Sequence, residues 1–300
     1  MSPLTIGYLG PEGSNSHHAA LSALSFLKLQ TDAVTFMPYA TLSLLLEATA
    51  TGEHTLSIMP YENALEGAVV EVLEALGNAQ IPLHTHAEFL QPIEHSLLVQ
   101  TPDSETKLHT IYSHAMALNQ CKNSLRTKFG SDIQLIPTAS TAHAAQNLRE
   151  LSPSDAQGVG VLATQVAARM NHLHTLDMDM SDALQNITRF FMVSNTPEWP
   201  DSLPALPKDV PMKTSMCVSL HEYPGVLTEY LQVFQRYWVN LTKIESRPTR
   251  QTYGDYHFFL DAEGDIRLPN EGRLLSELTA RSRVFHMQGP YWCLGLPMKG

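Results

Sequence analysis

The sequence predicts an α/β protein carrying a smaller α+β unit of ferredoxin-like order at its C-terminal end. Three observations point there. Residues 4–194 alternate strand-like and helix-like segments. Residues 195–211 hold Pro197, Pro200, Pro204, Pro207 and Pro211, a density that suits an extended linker. Beyond them the periodicity settles into the order βαββαβ, the split-βαβ pattern.

The elements follow in order. Residues 5–9 form a short apolar strand, followed by Gly10-Pro11-Glu12-Gly13. A helix begins near Ser16, with Ala20, Ala23, Leu24 and Leu27 on one face. Residues 34–37 read as strand, 42–50 as helix, 56–59 as strand and 67–76 as helix. Residues 94–100 and 110–113 look like strands, and Leu118, Cys121, Leu125 and Phe129 recur at helical spacing. Residues 133–136 are strand, 141–150 helix and 158–162 strand. Such alternation argues for largely parallel sheets. In the C-terminal unit, residues 213–220 alternate, with Met216, Val218 and Leu220 on one side. Pro224-Gly225 opens a helix whose inner face is Val226, Leu227, Tyr230, Leu231 and Phe234. Residues 239–247 and 253–261 are strands, 274–281 a helix and 284–288 a last strand.

Three hundred residues suffice for about two domains and a substantial core. The net charge of −11 argues against general binding to nucleic acid or to an anionic membrane surface. An acidic substrate would therefore need a locally positive site. Cys121, Cys217 and Cys293 are widely spaced and form no C-x-x-C, which fits a reducing compartment without a cysteine-based zinc site. MSPLTIGYLG lacks a basic region followed by an apolar stretch, and no apolar run approaches transmembrane length. The expected location is the cytoplasm.

Four stretches are candidates for a site. In LGPEGSNSHH a strand enters a two-glycine loop and a helix, whose free N–H groups suit an anion; Ser14, Asn15 and Ser16 add donors. A glycine turn with a serine N-cap has the same appearance. In MPYENALEG, after a strand, Asn63 offers a donor and an acceptor, and Glu62 reads as an acid, a supporting partner or a first-turn residue. In YSHAMALNQC, Ser113 is a natural N-cap and His114 falls in the first helical turn. In NITRFF, Thr188 and Arg189 stand at the mouth of an apolar strand, where a buried arginine calls for a partner. Ligands of open α/β sheets bind beyond strand C-termini, which suits the first three stretches. The fourth fits only if its sheet lies across a cleft. Two H-x-H pairs, His84/His86 and His172/His174, lack a further ligand at metal spacing. No G-x-S-x-G, phosphate-binding lysine loop or complete dinucleotide fingerprint is present, so neither a metal nor a cofactor is expected.

Taken together and in this order, these stretches resemble prephenate dehydratase. The most specific parts are Asn186-Ile187-Thr188-Arg189-Phe190, matching the family's Asn-x-Thr-Arg-Phe signature, and Leu241-Thr242-Lys243-Ile244-Glu245-Ser246-Arg247-Pro248. The resemblance implies a catalytic region of two α/β lobes (1–195), similar to type II periplasmic binding proteins, a proline-rich linker (196–211) and an ACT regulatory domain (212–300). It implies conversion of prephenate to phenylpyruvate, phenylalanine as allosteric effector, and a homodimer or homotetramer. Arg189 would bind a substrate carboxylate bidentately. Thr188 would assist the departing hydroxyl, with His114 as a supplementary donor, and Asn63, Ser14 and Ser16 would orient substrate. Pro224, Gly225, Val226 and Leu227, with Glu245, Ser246, Arg247 and Pro248, match the effector motifs; ordinary helix-start and strand-end geometry accounts for them equally.

The chain departs from the family pattern at Ser14-Asn15-Ser16, which loses an aromatic, at Ala64, which loses a hydroxyl, and at Ala115-Met116, where Pro-Gln is usual. Val226 stands where alanine is usual. These changes bear on substrate choice, and arogenate is the alternative substrate. A non-catalytic binding homologue and a decarboxylase that retains the hydroxyl are rival readings; Thr188 counts against the second.

Overall fold

A computed structural model describes residues 4–102, 107–183, 185–206, 209–250 and 254–296. The first lobe comprises β1 (Leu4–Leu9), α1 (Asn15–Leu27), β2 (Val34–Tyr39), α2 (Leu42–Thr51), β3 (Leu56–Asn63), the two-residue β4 (Gly67–Ala68), α3 (Val70–Leu76) and β5 (His84–Pro92). The second comprises β6 (Ser96–Val99), β7 (Thr110–His114), α4 (Ala115–Gln120), α5 (Lys122–Phe129), β8 (Gln134–Thr138), α6 (Thr141–Glu150), β9 (Val159–Ala163), α7 (Gln165–Met170) and β10 (His174–Asp177). The chain then returns to the first lobe as β11 (Ile187–Ser194). The C-terminal unit follows with β12 (Met212–Leu220), α8 (Val226–Arg236), β13 (Leu241–Pro248), β14 (Tyr256–Glu263), α9 (Arg273–Arg281) and β15 (Ser282–Cys293), in the βαββαβ order.

One sheet runs β13-β14-β12-β15-β5-β11-β3-β1-β2, and a second runs β10-β6-β9-β7-β8. The lobes are joined by two chain crossings, β5 to β6 and β10 to β11. The C-terminal unit is fused to the first lobe edge to edge, because β15 pairs parallel with β5 through Trp292↔Ala87 and Cys293↔Glu88.

Several elements differ from the expected ones. The sheets are mixed rather than largely parallel: β11 is antiparallel to both β3 and β5, and β6 is antiparallel to β9. The stretch His84–Pro92 is a nine-residue strand that charge and proline masked. β3 continues through Pro60 to Asn63, because β11 and β4 supply pairing partners there. The helix expected from Gly67 begins at Val70. The helix expected through Cys121 is two short helices that meet at that residue. Ser113 is not the cap of α4; it lies within β7 and donates to the Leu162 carbonyl at 2.7 Å, while His114 takes the cap position. His172 lies outside β10, so His172 and His174 do not share a strand face. Pro207 and Tyr253 lie outside the described residues.

β11 has a buried face on each side, so its run is apolar almost throughout. Phe190 and Met192 pack with Ile6, Tyr8, Ala20 and Leu24 under α1. Phe191 and Val193 pack with Leu45, Tyr61, Leu73 and Phe259 on the other side. This alternation decides where Thr188 and Arg189 point.

Candidate active site

The antiparallel pairing of β11 answers how NITRFF reaches a site from the start of a strand. Its first residues lie beside the C-terminal end of β3, with Thr188 opposite Asn63 and Arg189 opposite Glu62. Thr188 therefore stands at the strand end where ligands of α/β sheets bind.

A cleft of about 420 Å³ opens there between the lobes. It brings together Ser14, Ser16, Asn63, His114 and Thr188, five of the six expected catalytic residues. Asn63 Nδ2 donates to Thr188 Oγ1 at 2.9 Å and to Asn186 Oδ1 at 2.8 Å. Three helix N-termini border the same cleft: those of α1, capped by Ser14, of α6, capped by Ser140, and of α4, capped by His114. Each presents unpaired N–H groups and the positive end of its dipole. The Ser14 hydroxyl is occupied with its own loop, donating to the Leu9 carbonyl and accepting from His17 N–H, both at 3.2 Å. Gly13 takes φ +81° and a Cβ there would lie 3.2 Å from Ala167 of the second lobe, so only glycine lets this loop pack across the interface.

Arg189 is not in the cleft. Side chains alternate along a strand, and with Thr188 facing the cleft Arg189 faces the C-terminal unit. Its guanidinium meets Glu88 and Asp261, each at 2.5 Å, and donates to the Tyr291 hydroxyl at 2.8 Å. Glu62 lies 3.5 Å away, and the Tyr61 and Phe191 rings lie 4.8 and 5.0 Å from the guanidinium carbon. Burial works against its charge, but Tyr291, Asp261 and Glu88 raise its pKa well above the ordinary value. The partner that a buried arginine requires is thus protein, not ligand. No lysine or arginine lines the cleft, and Glu66 is its one carboxylate among the described residues.

Among the cleft residues that the sequence motifs do not single out are His95, Gln120 and Asn186. Asn186 and Gln120 sit inside quoted motifs but carry no charge to single them out. His95 lies in the β5–β6 crossing, which gives no motif.

The effector candidates fall on two segments of the C-terminal unit. Gly225 caps α8 with φ +90°, and Val226 and Leu227 pack against the core beneath that helix. Glu245, Ser246, Arg247 and Pro248 lie on the edge strand β13, where Glu245 and Arg247 share the half-buried face, 3.8 Å apart. No hydrogen bond or ion pair among the described residues joins the two segments. Arg247 Nε is buried without a hydrogen-bond partner among the described residues.

Comparison with known proteins places this geometry. The family model for prephenate dehydratase matches residues 6–198. The chain belongs to the prephenate dehydratase family. The bifunctional chorismate mutase/prephenate dehydratase of Aquifex aeolicus is 31% identical over 288 residues, covering 96% of this chain and 73% of that protein. The structure of prephenate dehydratase in complex with L-Phe from Arthrobacter aurescens is 29% identical, with a TM-score of 0.77, covering 96% of this chain and 90% of the other. A structure described as GqqA, a novel type of quorum quenching acylase, is 26% identical, with a TM-score of 0.80 and coverage of 96% and 97%.

Proposed function

We propose that the cleft converts prephenate to phenylpyruvate, releasing CO2 and the ring hydroxyl as water. The observation that carries the reading is the Asn63–Thr188 pair at the converged helix N-termini. Asn63 donates to Thr188 Oγ1, and no acceptor among the described residues takes the Thr188 proton. That hydroxyl is available to the departing oxygen. A hydroxyl is a weak acid, so its contribution is a directed hydrogen bond worth about ten- to a hundredfold, at the low end of general-acid assistance. The carboxylates of prephenate are received by the N–H groups of α1 and α6 in place of a fixed cation, since Arg189 is committed elsewhere. Asn63, Ser16 and His114 contact the substrate from their positions on the cleft wall.

The C-terminal unit is read as an ACT domain that binds phenylalanine as effector. The unpaired Nε–H of Arg247 would be satisfied by an amino-acid carboxylate. Edge strand β13 exposes Ile244, which suits pairing with a second copy in a homodimer or homotetramer. No described helix is long and apolar enough to cross a membrane, and a cytoplasmic location fits the free cysteines.

Arogenate has one observation in its favour: its ammonium would meet Glu66, whereas prephenate brings no cation to that carboxylate. One fold can serve several chemistries, as the acylase neighbour illustrates, so the product must be measured. The test is product identity and rate with prephenate and separately with arogenate, after subtracting spontaneous breakdown of prephenate in acid. Phenylpyruvate formed at an enzymatic rate supports the proposal. Phenylalanine formed mainly from arogenate transfers the reading to that substrate. Saturable binding without turnover of either abandons catalysis.

A further inference from the structure

Asn63 Oδ1 accepts from the backbone N–H groups of Leu65, at 2.9 Å, and Glu66, at 3.1 Å. Backbone amides can only donate, so this end of the Asn63 carboxamide must be its oxygen. The other end is then a nitrogen, and it donates to Thr188 Oγ1 and Asn186 Oδ1. Asn186 is oriented in turn: its nitrogen donates to Gln120 Oε1 at 3.0 Å. Gln120 Oε1 also lies 2.8 Å from His95 Nε2. A carboxamide oxygen offers no proton, so His95 Nε2 must carry one. Two backbone N–H groups thus set the polarity of a side-chain relay that runs from β3 to the β5–β6 crossing and touches α4 of the second lobe.

We infer that His95 is a positioning residue of the cleft: as the Nε2–H tautomer it holds Gln120 so that a Gln120 N–H is directed at the substrate beside the Thr188 hydroxyl, whose own orientation Asn63 sets. The role assigned to substrate rests on the reading of the cleft given above; the tautomer does not. His95 is buried, 4% exposed. Burial keeps its imidazole below the ordinary histidine pKa, hence neutral, so that a single ring nitrogen carries the proton. Were that nitrogen Nδ1, the lone pair of Nε2 would face the Gln120 oxygen. Gln120 would then turn over, setting its oxygen against Glu66, to which its nitrogen now donates at 3.2 Å, and its N–H₂ against that of Asn186. The relay would lose its direction at the Gln120 end, while the backbone N–H groups of Leu65 and Glu66 keep that of Asn63 and Thr188. His95 and Asn186 lie in the two crossings that join the lobes, so the relay also fixes the lobes relative to each other at the floor of the cleft.

The tautomer is read on the unmodified protein by long-range ¹H–¹⁵N NMR of its histidines, with His95 assigned by its loss in His95→Gln. Protonation at Nε2 is expected; protonation at Nδ1 overturns the inference, whatever the substrate. Kinetics test the role. Glutamine can present an N–H where Nε2 stands, asparagine only nearer Nδ1, and phenylalanine none. His95→Gln should retain most of the prephenate turnover. His95→Asn and His95→Phe should lower kcat about ten- to a hundredfold, with KM changed less than about threefold. If His95→Phe does not fold, the comparison of His95→Gln with His95→Asn decides. Equal rates for these two overturn the positioning role. Absence of prephenate turnover in the unmodified protein, with Nε2 protonated, would sink the assigned substrate and leave the relay supported.

Discussion

Replacing Arg189 by methionine separates the two roles open to this arginine. The guanidinium sits among Glu88, Asp261 and Tyr291, with Arg189 8% exposed and Asp261 and Glu88 0% and 4%. Methionine fills similar space and removes the charge. Glu88 would keep Lys213, whose Nζ lies 2.9 Å away. Asp261 would keep only the Ser215 hydroxyl, at 2.6 Å, among its side-chain partners. Stranding one buried carboxylate costs about 3–5 kcal/mol, since its partner's charge is lost while its desolvation remains. For a chain of this length that corresponds to about 6–10 °C in Tm. Urea unfolding followed by circular dichroism, alongside prephenate kinetics, measures both effects. The double variant Arg189→Met/Asp261→Asn, which removes the stranded charge as well, should recover part of the loss. A loss under about 1 kcal/mol, the size of an exposed pair, together with a large rise in KM would refute the burial argument and return Arg189 to the substrate.

Other expectations follow from the same structure. Thr188→Val keeps the shape and removes the hydroxyl; kcat should fall at least about tenfold with KM and unfolding midpoint little changed, and a near-normal rate takes Thr188 out of the mechanism. His54 bonds Thr49, Ser57 and Tyr39, and burial lowers its pKa to about 4. Its stabilising effect is complete above the unfolded value of about 6.5 and is lost as pH falls through about 4, so His54→Gln should flatten the acid limb of an unfolding curve. His86, also lowered to about 4 by burial and bonded to Ser194, should add to that limb in the same direction. Phenylalanine should inhibit turnover and shift sedimentation toward a larger species, and Arg247→Ala should weaken both responses; saturating phenylalanine without effect on either would remove the effector reading.

Much of this was legible in the chain itself. The βαββαβ order of residues 212–293 followed from periodicity, which is clearest in α8, β13 and α9, where one face is turned inward and the other outward. Ser14, Ser16, Asn63 and His114 followed from a topological rule: each lies where a strand ends and a helix begins, or immediately beside such a junction. Even the separation of Thr188 from Arg189 was implied, since neighbours on a strand face opposite sides. Which of them faces the cleft was not, because β11 is apolar on both sides and its pattern names no inner face. That was decided by Glu88 and Asp261, 101 and 72 residues away in the chain, meeting the guanidinium where the C-terminal sheet joins the first lobe. The strand direction of β11 was likewise invisible, since a single run of apolar residues carries no sign of whether its neighbours run with it or against it. His95 and Gln120 stayed hidden for a third reason. Neutral amides and a neutral imidazole acquire a direction only from partners, and here that direction begins at two backbone N–H groups that only the folded β3–β4 turn brings to Asn63. Local pattern determined the elements and the strand ends that form the cleft. Long-range pairing determined which side chains enter it and which way their protons point.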